Sequence, residues 1–218
     1  MFMFVNQIMS PNPITVSVDT GILEAANLMR EKNIRRLPVV KDHKLVGIVT
    51  EMDILKVQPS QATTLSVFEV NYLLAKTKVS DVMTKKPLTI LADATLEEAA
   101  LVMRENEVGG LPVLDKGKLV GVVTESNIFD AFIDLMGLKR AGSRLTIEVN
   151  DRPGILAEIG DITAKHHVNV SSFAAYYPSN KTSVLVVRVD TTEVEKIVTD
   201  IEKLGHKITH VASYGPSK

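Results

Sequence analysis

Residues 37–51 read Leu37-Pro-Val-Val-Lys-Asp-His-Lys-Leu-Val-Gly-Ile-Val-Thr-Glu51, and the pattern returns at residues 111–125 as Leu111-Pro-Val-Leu-Asp-Lys-Gly-Lys-Leu-Val-Gly-Val-Val-Thr-Glu125. The similarity extends over residues 5–55 and 79–129, where 22 of the 51 aligned pairs are identical at an offset of 74 positions. Two copies are too few for a solenoid, which needs about three or more repeats. We therefore expect a pseudo-twofold pair in which each copy buries the apolar face of the other.

Each copy has the pattern of a β-α-β-β-α unit. A short β run at residues 14–18 or 88–91 precedes an amphipathic helix pattern over Ile22–Lys32 or Leu96–Asn106. The quoted stretches then supply two strands joined by a turn, and Thr50 or Thr124 opens a further helix. Thr95 and Glu98 form a capping-box signature in the second copy, whereas the first copy has Gly21 at the same position.

A different pattern follows the second copy. Alternating apolar residues at 145–149, the turn signal Asn150-Asp-Arg-Pro-Gly154 and a helix pattern over Ile155–His166 are followed by two strands, a helix and a strand. Thr192 and Glu195 predict a second capping box, and Gly205 marks the end of that helix. The order βαββαβ is typical of a ferredoxin-like domain, and the fold class predicted for the whole chain is α+β. The predicted segments are residues 1–56, a connecting helix at 57–78, residues 79–138, and the last domain at 143–214.

Composition excludes several classes of protein. A net charge of −1 provides no electrostatic footprint for nucleic acid. The absence of cysteine removes thiolate chemistry and disulfides and fits a cytoplasmic location, while no apolar run is long enough for a membrane helix. The five histidines lack the spacing of a metal site, and no nucleophile motif occurs. We therefore predict no catalytic residues, no metal site, no nucleic-acid partner and no membrane partner.

Several motifs give the chain a family resemblance. Met-Ser-Pro-Asn-Pro at 9–13, Met-Thr-Lys-Lys-Pro at 83–87 and Gly-Ile-Val-Thr-Glu-Met-Asp-Ile at 47–54 resemble a tandem pair of cystathionine-β-synthase (CBS) domains. Asn-Asp-Arg-Pro-Gly at 150–154, with Val-Asn-Val at 168–170, resembles an ACT domain. The order resembles the bacterial acetoin-utilisation accessory proteins. The resemblance implies a non-catalytic regulator that binds an adenine nucleotide, with an ACT domain that dimerises and often binds an amino acid.

The resemblance also implies where the nucleotide binds. In CBS pairs a Gly-x-x-Thr-x-x-Asp run meets the ribose, and here Thr50 and Asp53 occupy it. An ionised Asp accepts hydrogen bonds from both ribose hydroxyls. The base is expected against Val16, Ile34 and Pro38, with Thr15 at its polar edge, and the phosphate at Arg35, Arg36 and His43. The alternative is that Asp53 only opposes the dipole of its helix.

The second copy departs from this pattern. Asn127 replaces the Asp beside Thr124, and Gly109-Gly110 replaces the Arg pair. We therefore expect a weaker or empty site there, unless the twofold axis brings basic side chains across from the first copy. AMP, ADP, ATP and S-adenosylmethionine share the adenosine half, so the sequence does not select among them, and none is a required cofactor.

In the ACT domain, the turn after the first strand is the candidate ligand site. Pro153 is expected in the first helical turn, where the free N–H groups favour a carboxylate. The candidate residues are Asn150, Asp151, Gly154, Ile155, Leu156 and Asn169. The ligand would lie between two ACT domains of a homodimer, or the turn only caps the helix. The alternatives for the whole chain are an enzyme of acetoin or carbon metabolism and a structural assembly module, and the sequence does not identify a regulated partner.

Overall fold

The computed structural model describes residues 4–57, 66–178 and 182–215. Its contacts divide the chain into a first unit that ends at Phe129 and a second that begins at Asp130. The part of the predicted connecting segment at 58–65 and the hairpin-loop residues 179–181 lie outside the described residues. Among the described residues, no helix is both long enough and apolar enough to cross a lipid bilayer.

The two copies have the same elements in the same order. The first contains α1 (Val5–Ile8), β1 (Ser10–Pro11), β2 (Val16–Ser17), α2 (Ile22–Glu31), β3 (Arg36–Lys41), β4 (Lys44–Thr50) and α3 (Glu51–Lys56). After α4 (Val67–Lys76), the second contains α5 (Val79–Val82), β5 (Thr84–Lys85), β6 (Ile90–Leu91), α6 (Leu96–Glu105), β7 (Gly110–Asp115), β8 (Lys118–Thr124) and α7 (Glu125–Leu135). The β-α-β-β-α order is confirmed, and the capping box of Thr95 and Glu98 forms at the start of α6.

Tight hairpins close both copies. Asp42 and His43 both have positive φ between β3 and β4, and Lys116 and Gly117 both have positive φ between β7 and β8. Two consecutive positive φ angles give a turn of type I′, whose twist matches that of the flanking strands. The hairpins therefore place Thr50 and Thr124 at equivalent strand ends, and a helix begins directly after each of them.

The copies exchange their first strands. β1 pairs with β8 of the second copy, and β5 pairs with β4 of the first, so the two sheets have the orders β1-β8-β7-β6 and β2-β3-β4-β5. Val5 is fully buried in the core of the second copy, and Val79 is fully buried in the core of the first. Each copy therefore needs a segment of the other to complete its sheet and core.

Duplicated methionine and glycine residues fit together across this exchange. A Cβ atom at Gly121 would overlap the sulfur of Met9, and one at Gly47 would overlap the sulfur of Met83. Both glycines lie in the middle of a buried strand, where a side chain would otherwise be favoured. Glycine leaves room there for the thioether that precedes each exchanged strand.

The second unit is a four-stranded antiparallel sheet with two helices on one face. Its elements are β9 (Gly142–Asn150), α8 (Ile155–Lys165), β10 (Val170–Tyr176), β11 (Thr182–Val189), α9 (Glu195–Lys203) and β12 (Lys207–Tyr214). The strand order is β10-β11-β9-β12. Leu145, Ile147 and Val149 alternate along β9 and pack with the buried isoleucines of both helices. The ferredoxin-like βαββαβ arrangement is confirmed.

Two local predictions in the second unit are wrong. α9 begins at Glu195 with Val194 as its N-cap, and no side chain caps it, so Thr192 lies before the helix. Gly154, with φ of 93°, is the N-cap of α8, so Pro153 precedes the helix instead of lying in its first turn. A φ of 93° favours glycine at this corner, and because the helix begins only after Gly154, Pro153 lies outside it. Gly205 follows α9 with φ of 87°, as predicted.

Candidate functional site

Thr50 and Asp53 are held together at the start of α3. The backbone N–H and the Oγ1 hydroxyl of Thr50 both donate to Oδ2 of Asp53, at 2.9 Å and 2.7 Å. The backbone N–H of Asp53 donates to Thr50 Oγ1 at 3.2 Å. This capping box uses one oxygen of the carboxylate and fixes its orientation. The other oxygen, Oδ1, is therefore the atom that can accept hydrogen bonds from a ligand.

Thr124 and Asn127 repeat this arrangement with a different free atom. The backbone N–H and the hydroxyl of Thr124 donate to Oδ1 of Asn127, at 2.9 Å and 2.8 Å. The amide oxygen therefore accepts the capping hydrogen bonds, and the atom left for a ligand is Nδ2, which is a hydrogen-bond donor. The first copy thus offers an ionised acceptor and the second a neutral donor at the same place.

The first cleft, of about 750 Å³, lies beside Thr50 and Asp53. Its apolar wall comes from the second copy and includes Leu88, Val108 and Pro112. This wall reaches Asp53 because β5 pairs with β4, which carries the residues after β5 to the edge of the first sheet. A cavity of 300–1,000 Å³ with an apolar wall and a few polar groups is typical of a small-molecule site.

The second cleft, of about 590 Å³, lies beside Thr124 and Asn127. Its apolar wall comes from the first copy and includes Ile14, Ile34 and Pro38, the residues equivalent to Leu88, Val108 and Pro112 at the offset of 74. The two clefts are therefore built from the same positions with the copies interchanged.

The structure separates the residues that the sequence interpretation grouped around Asp53. Ile34 and Pro38 line the cleft of Thr124 and Asn127, so their assignment to the Asp53 cleft is corrected. Val16 is buried in the core of the first copy, and the exposed Thr15 lines neither cleft. The reason is the strand exchange, which makes each copy supply the apolar wall of the other copy's cleft.

Arg35 and Arg36 line both clefts. The guanidinium of Arg36 lies against Gly110, where a Cβ atom would overlap it, and a Cβ atom at Gly109 would lie 3.2 Å from Arg36 Nη2. Burial lowers the pKa of Arg36, while the nearby Glu125 carboxylate opposes this shift. The two glycines of the second copy thus make room for the arginine of the first.

Two further lysines belong to the first cleft. Lys56 and Lys86 line it, whereas the positions equivalent to them in the other copy are Asp130 and Asn12. The sequence interpretation missed both, although the change of charge between the copies was a visible signal. His43, in contrast, lies in the β3–β4 turn at the opposite end of β3 from Arg36, roughly 17 Å along the strand, so its grouping with the arginines is wrong.

In the second unit, the loop before α8 is exposed, including Asn150, Asp151 and Gly154. Ile155 is buried in the core, whereas Leu156 is 57% exposed. The following residues restrain the loop. Arg152 donates to Glu158 at 2.9 Å, and Nε2 of the buried His206 lies 3.1 Å from Glu158 Oε2. These hydrogen bonds lower the pKa of Glu158.

Asn169 lies far from this loop. β9 and β10 run in the same direction, so Asn169, just before β10, is at the end of the sheet where β9 begins, while Asn150 is at the other end. Its backbone and side-chain N–H groups donate to the Asp190 carboxylate, at 3.0 Å and 2.8 Å. The predicted contribution of Asn169 to the ACT site is therefore wrong, because a helical crossover returns the chain to the starting end of the sheet.

Comparison with known families and structures agrees with this architecture. Residues 5–60 and 79–134 match the CBS domain, and residues 145–208 match the AHAS small subunit-like ACT domain. A crystal structure of CBSX2 from Arabidopsis thaliana in complex with AMP is 32% identical, with a TM-score of 0.51, and the likeness covers 60% of this chain and 97% of that one.

Two further solved structures have similar coverage. A putative acetoin utilization protein, AcuB, from Vibrio cholerae is 30% identical, with a TM-score of 0.53, over 63% of this chain and 96% of that one. The CBS domain pair of protein MJ0100, in complex with 5′-methylthioadenosine and S-adenosyl-L-methionine, is 31% identical, with a TM-score of 0.50, over 61% and 97%. The two domain matches and the exchanged-strand pair lead to one assignment: this chain belongs to the CBS-domain family, as a tandem CBS pair followed by an ACT domain.

Proposed function

We propose that this protein is a non-catalytic regulator that binds an adenine nucleotide in its CBS pair. The observation that carries the proposal is the first cleft, where Oδ1 of Asp53 stands free beside an apolar wall and Arg35, Arg36, Lys56 and Lys86. A carboxylate for the ribose, an apolar slot for the base and cations for the phosphate are what a nucleotide requires. The AMP complex of the similar CBSX2 supports the choice of ligand.

The proposal ranks the two clefts. The first has the ionised acceptor and two lysines of its own, while the second has Asn127 and no lysine of its own among the residues that line it. The first cleft therefore binds the phosphorylated nucleotide more tightly. The ranking rests on the Asp53 carboxylate and the two lysines as specific partners for ribose and phosphate, because Glu51 and Glu107 also line the first cleft and offset part of its positive charge.

This ranking is tested by measuring AMP affinity by calorimetry in variants that exchange the side chains at positions 53 and 127. Asp53→Asn keeps the capping oxygen, as Asn127 does, but removes the charged acceptor, so we expect AMP binding to weaken about ten- to a hundredfold, the equivalent of roughly 1.5–3 kcal/mol. The reciprocal Asn127→Asp should tighten the weaker site. Arg104→Ala, in an exposed part of α6, serves as the unaffected control. The proposal fails if the wild-type protein binds none of AMP, ADP, ATP and S-adenosylmethionine.

For the ACT domain, we propose dimerisation and binding of an amino acid at the exposed loop 150–154, with Leu156 beside it. The free backbone N–H groups at the start of α8 suit a carboxylate. Coupling between the two ligands would be about 1–3 kcal/mol and reciprocal. The cysteine-free composition is the basis for proposing a cytoplasmic location. Amino-acid titrations and sedimentation velocity test these assignments directly.

A further inference from the structure

We infer that Arg36 is one phosphate-binding side chain shared by the two clefts, so that phosphorylated nucleotides occupy the clefts with negative cooperativity. This inference rests on the proposed nucleotide binding and adds a rule for how the two sites interact. Its starting point is that Arg36 lines the first cleft and the second cleft alike, although it belongs to the first copy.

The pseudo-twofold pair has room for one such side chain. The position equivalent to Arg36 is Gly110, and the guanidinium of Arg36 occupies the space that a side chain at Gly110 would need. An arginine at both positions would bring two positive charges to the same space. At this pair of equivalent positions the two clefts therefore have one guanidinium, that of Arg36, and Arg35 lines both clefts beside it.

The guanidinium is available to a ligand. Within the part of the chain that the structure describes, the Arg36 side chain makes no hydrogen bond or ion pair with another residue. The Glu125 carboxylate, which also lines the second cleft, acts on the charge of Arg36 without a direct contact. A half-buried guanidinium without a fixed partner can turn its planar fork toward a phosphate on either side.

The first cleft has the advantage in this competition. It adds Lys56 and Lys86 to the shared arginine pair, so the first phosphate enters there and draws Arg36 with it. A second phosphate then meets a cleft whose central cation is already neutralised, with the Glu125 carboxylate nearby. Adenosine, which has no phosphate, should fill the two clefts without this coupling.

The experiment isolates each cleft with a matched pair of blocking variants. Leu88 and Ile14 occupy equivalent positions and line only the first and only the second cleft, respectively, and both are at least one-third exposed. Leu88→Trp therefore blocks the first base slot, and Ile14→Trp blocks the second. Each variant is titrated with AMP and with adenosine, alone and in combination with Arg36→Gln.

We expect Arg36→Gln to weaken AMP binding about tenfold in both blocked variants and to leave adenosine binding unchanged. We also expect the second AMP to bind wild-type protein about tenfold more weakly than AMP binds the Leu88→Trp variant. Arg104→Ala is the control for loss of a positive charge outside the clefts.

The inference is overturned if Arg36→Gln weakens AMP binding in only one of the blocked variants, or if the second cleft binds no AMP when the first is blocked. It is also overturned if the two AMP affinities of the wild-type protein equal those measured for the two clefts in isolation. In all three cases wild-type protein still binds AMP, so the proposed function stands. Absence of AMP binding to the wild-type protein contradicts the proposed function itself. Circular dichroism of every variant confirms that the fold is retained.

Discussion

Asp53 and Asn127 show how a single side chain serves the fold and a ligand through different atoms. In both, one oxygen completes the cap of a helix, and the remaining polar atom is left for a ligand in the cleft that the residue lines. Asp53 therefore stabilises its helix, as the alternative interpretation holds. In the proposed function its second oxygen also binds the ligand. The capping threonine determines where the free atom points, which makes Thr50 a positioning residue.

Thr50→Ala should reduce stability and nucleotide affinity together. Loss of a threonine cap costs about 1 kcal/mol, and release of the Asp53 carboxylate should weaken AMP binding about tenfold. Urea unfolding and calorimetry measure the two effects. Thr95→Ala is the matched control, because Thr95 makes the same capping box with Glu98 but lines neither cleft. Equal loss of affinity in both variants would contradict a positioning role for Thr50.

At the scale of elements, Asp200 joins the two helices of the ACT domain. Its carboxylate accepts from Lys165 at 2.7 Å and lies 3.0 Å from His166 Nε2, both at the end of α8, while Lys203 of α9 donates at 3.0 Å. These hydrogen bonds hold the pKa of Asp200 well below its usual value of 3.8. The carboxylate of Asp200 therefore connects the two helices through its hydrogen bonds to residues of both.

Asp200→Asn should destabilise the domain at neutral pH and much less in acid. A folded-state pKa below the unfolded one contributes stability that is present above about pH 4 and is lost as the pH falls through the folded value. Urea unfolding of wild type and variant at a series of pH values should therefore show curves that converge below about pH 4. Asp161→Asn, at an exposed position of α8, should show no such convergence. A constant difference at all pH values would contradict the ionic role.

At the scale of the first unit, the exchanged strands make the two copies one structure. Met9 and Met83 each lead an exchanged strand and pack where Gly121 and Gly47 leave space. A side chain at either glycine would displace the methionine and the strand that follows it. Leu88 and Ile14 follow these strands and form part of the apolar walls of the clefts, so the same packing supports the proposed binding sites.

Gly121→Ala should destabilise the protein although alanine is otherwise favoured over glycine inside a strand. Overpacking against Met9 and the nearby Ser10 carbonyl costs about 1–3 kcal/mol. Gly160→Ala is the contrasting variant, because no atom lies within 4 Å of its Cβ position in α8, and it should stabilise by roughly 0.5–1 kcal/mol. Thermal unfolding followed by circular dichroism measures both. A stabilising Gly121→Ala would show that the glycine is not required for the exchange.

Much of the architecture follows from local pattern. The element order, the caps of α3 and α6 and the ferredoxin-like domain were predictable, because each depends on residues within a few positions of one another. The start of α9 was not, since the Thr192–Glu195 spacing mimics a cap that the chain does not use. The placement of Asn169 beside the 150–154 loop, as a contribution from a neighbouring strand, was also wrong, because local pattern does not show which end of a sheet a crossover reaches.

The sequence by itself determined that the chain is duplicated, that each copy ends in a threonine-capped helix, and that the two caps differ by one charge. Only the tertiary structure decided which apolar residues line the cleft of Asp53 and that Arg36 of the first copy lies against Gly110 of the second and lines both clefts. The physical reason is that strand exchange and pseudo-twofold packing bring together residues separated by tens of positions, whereas hydrophobic period and capping chemistry act over one or two turns of chain.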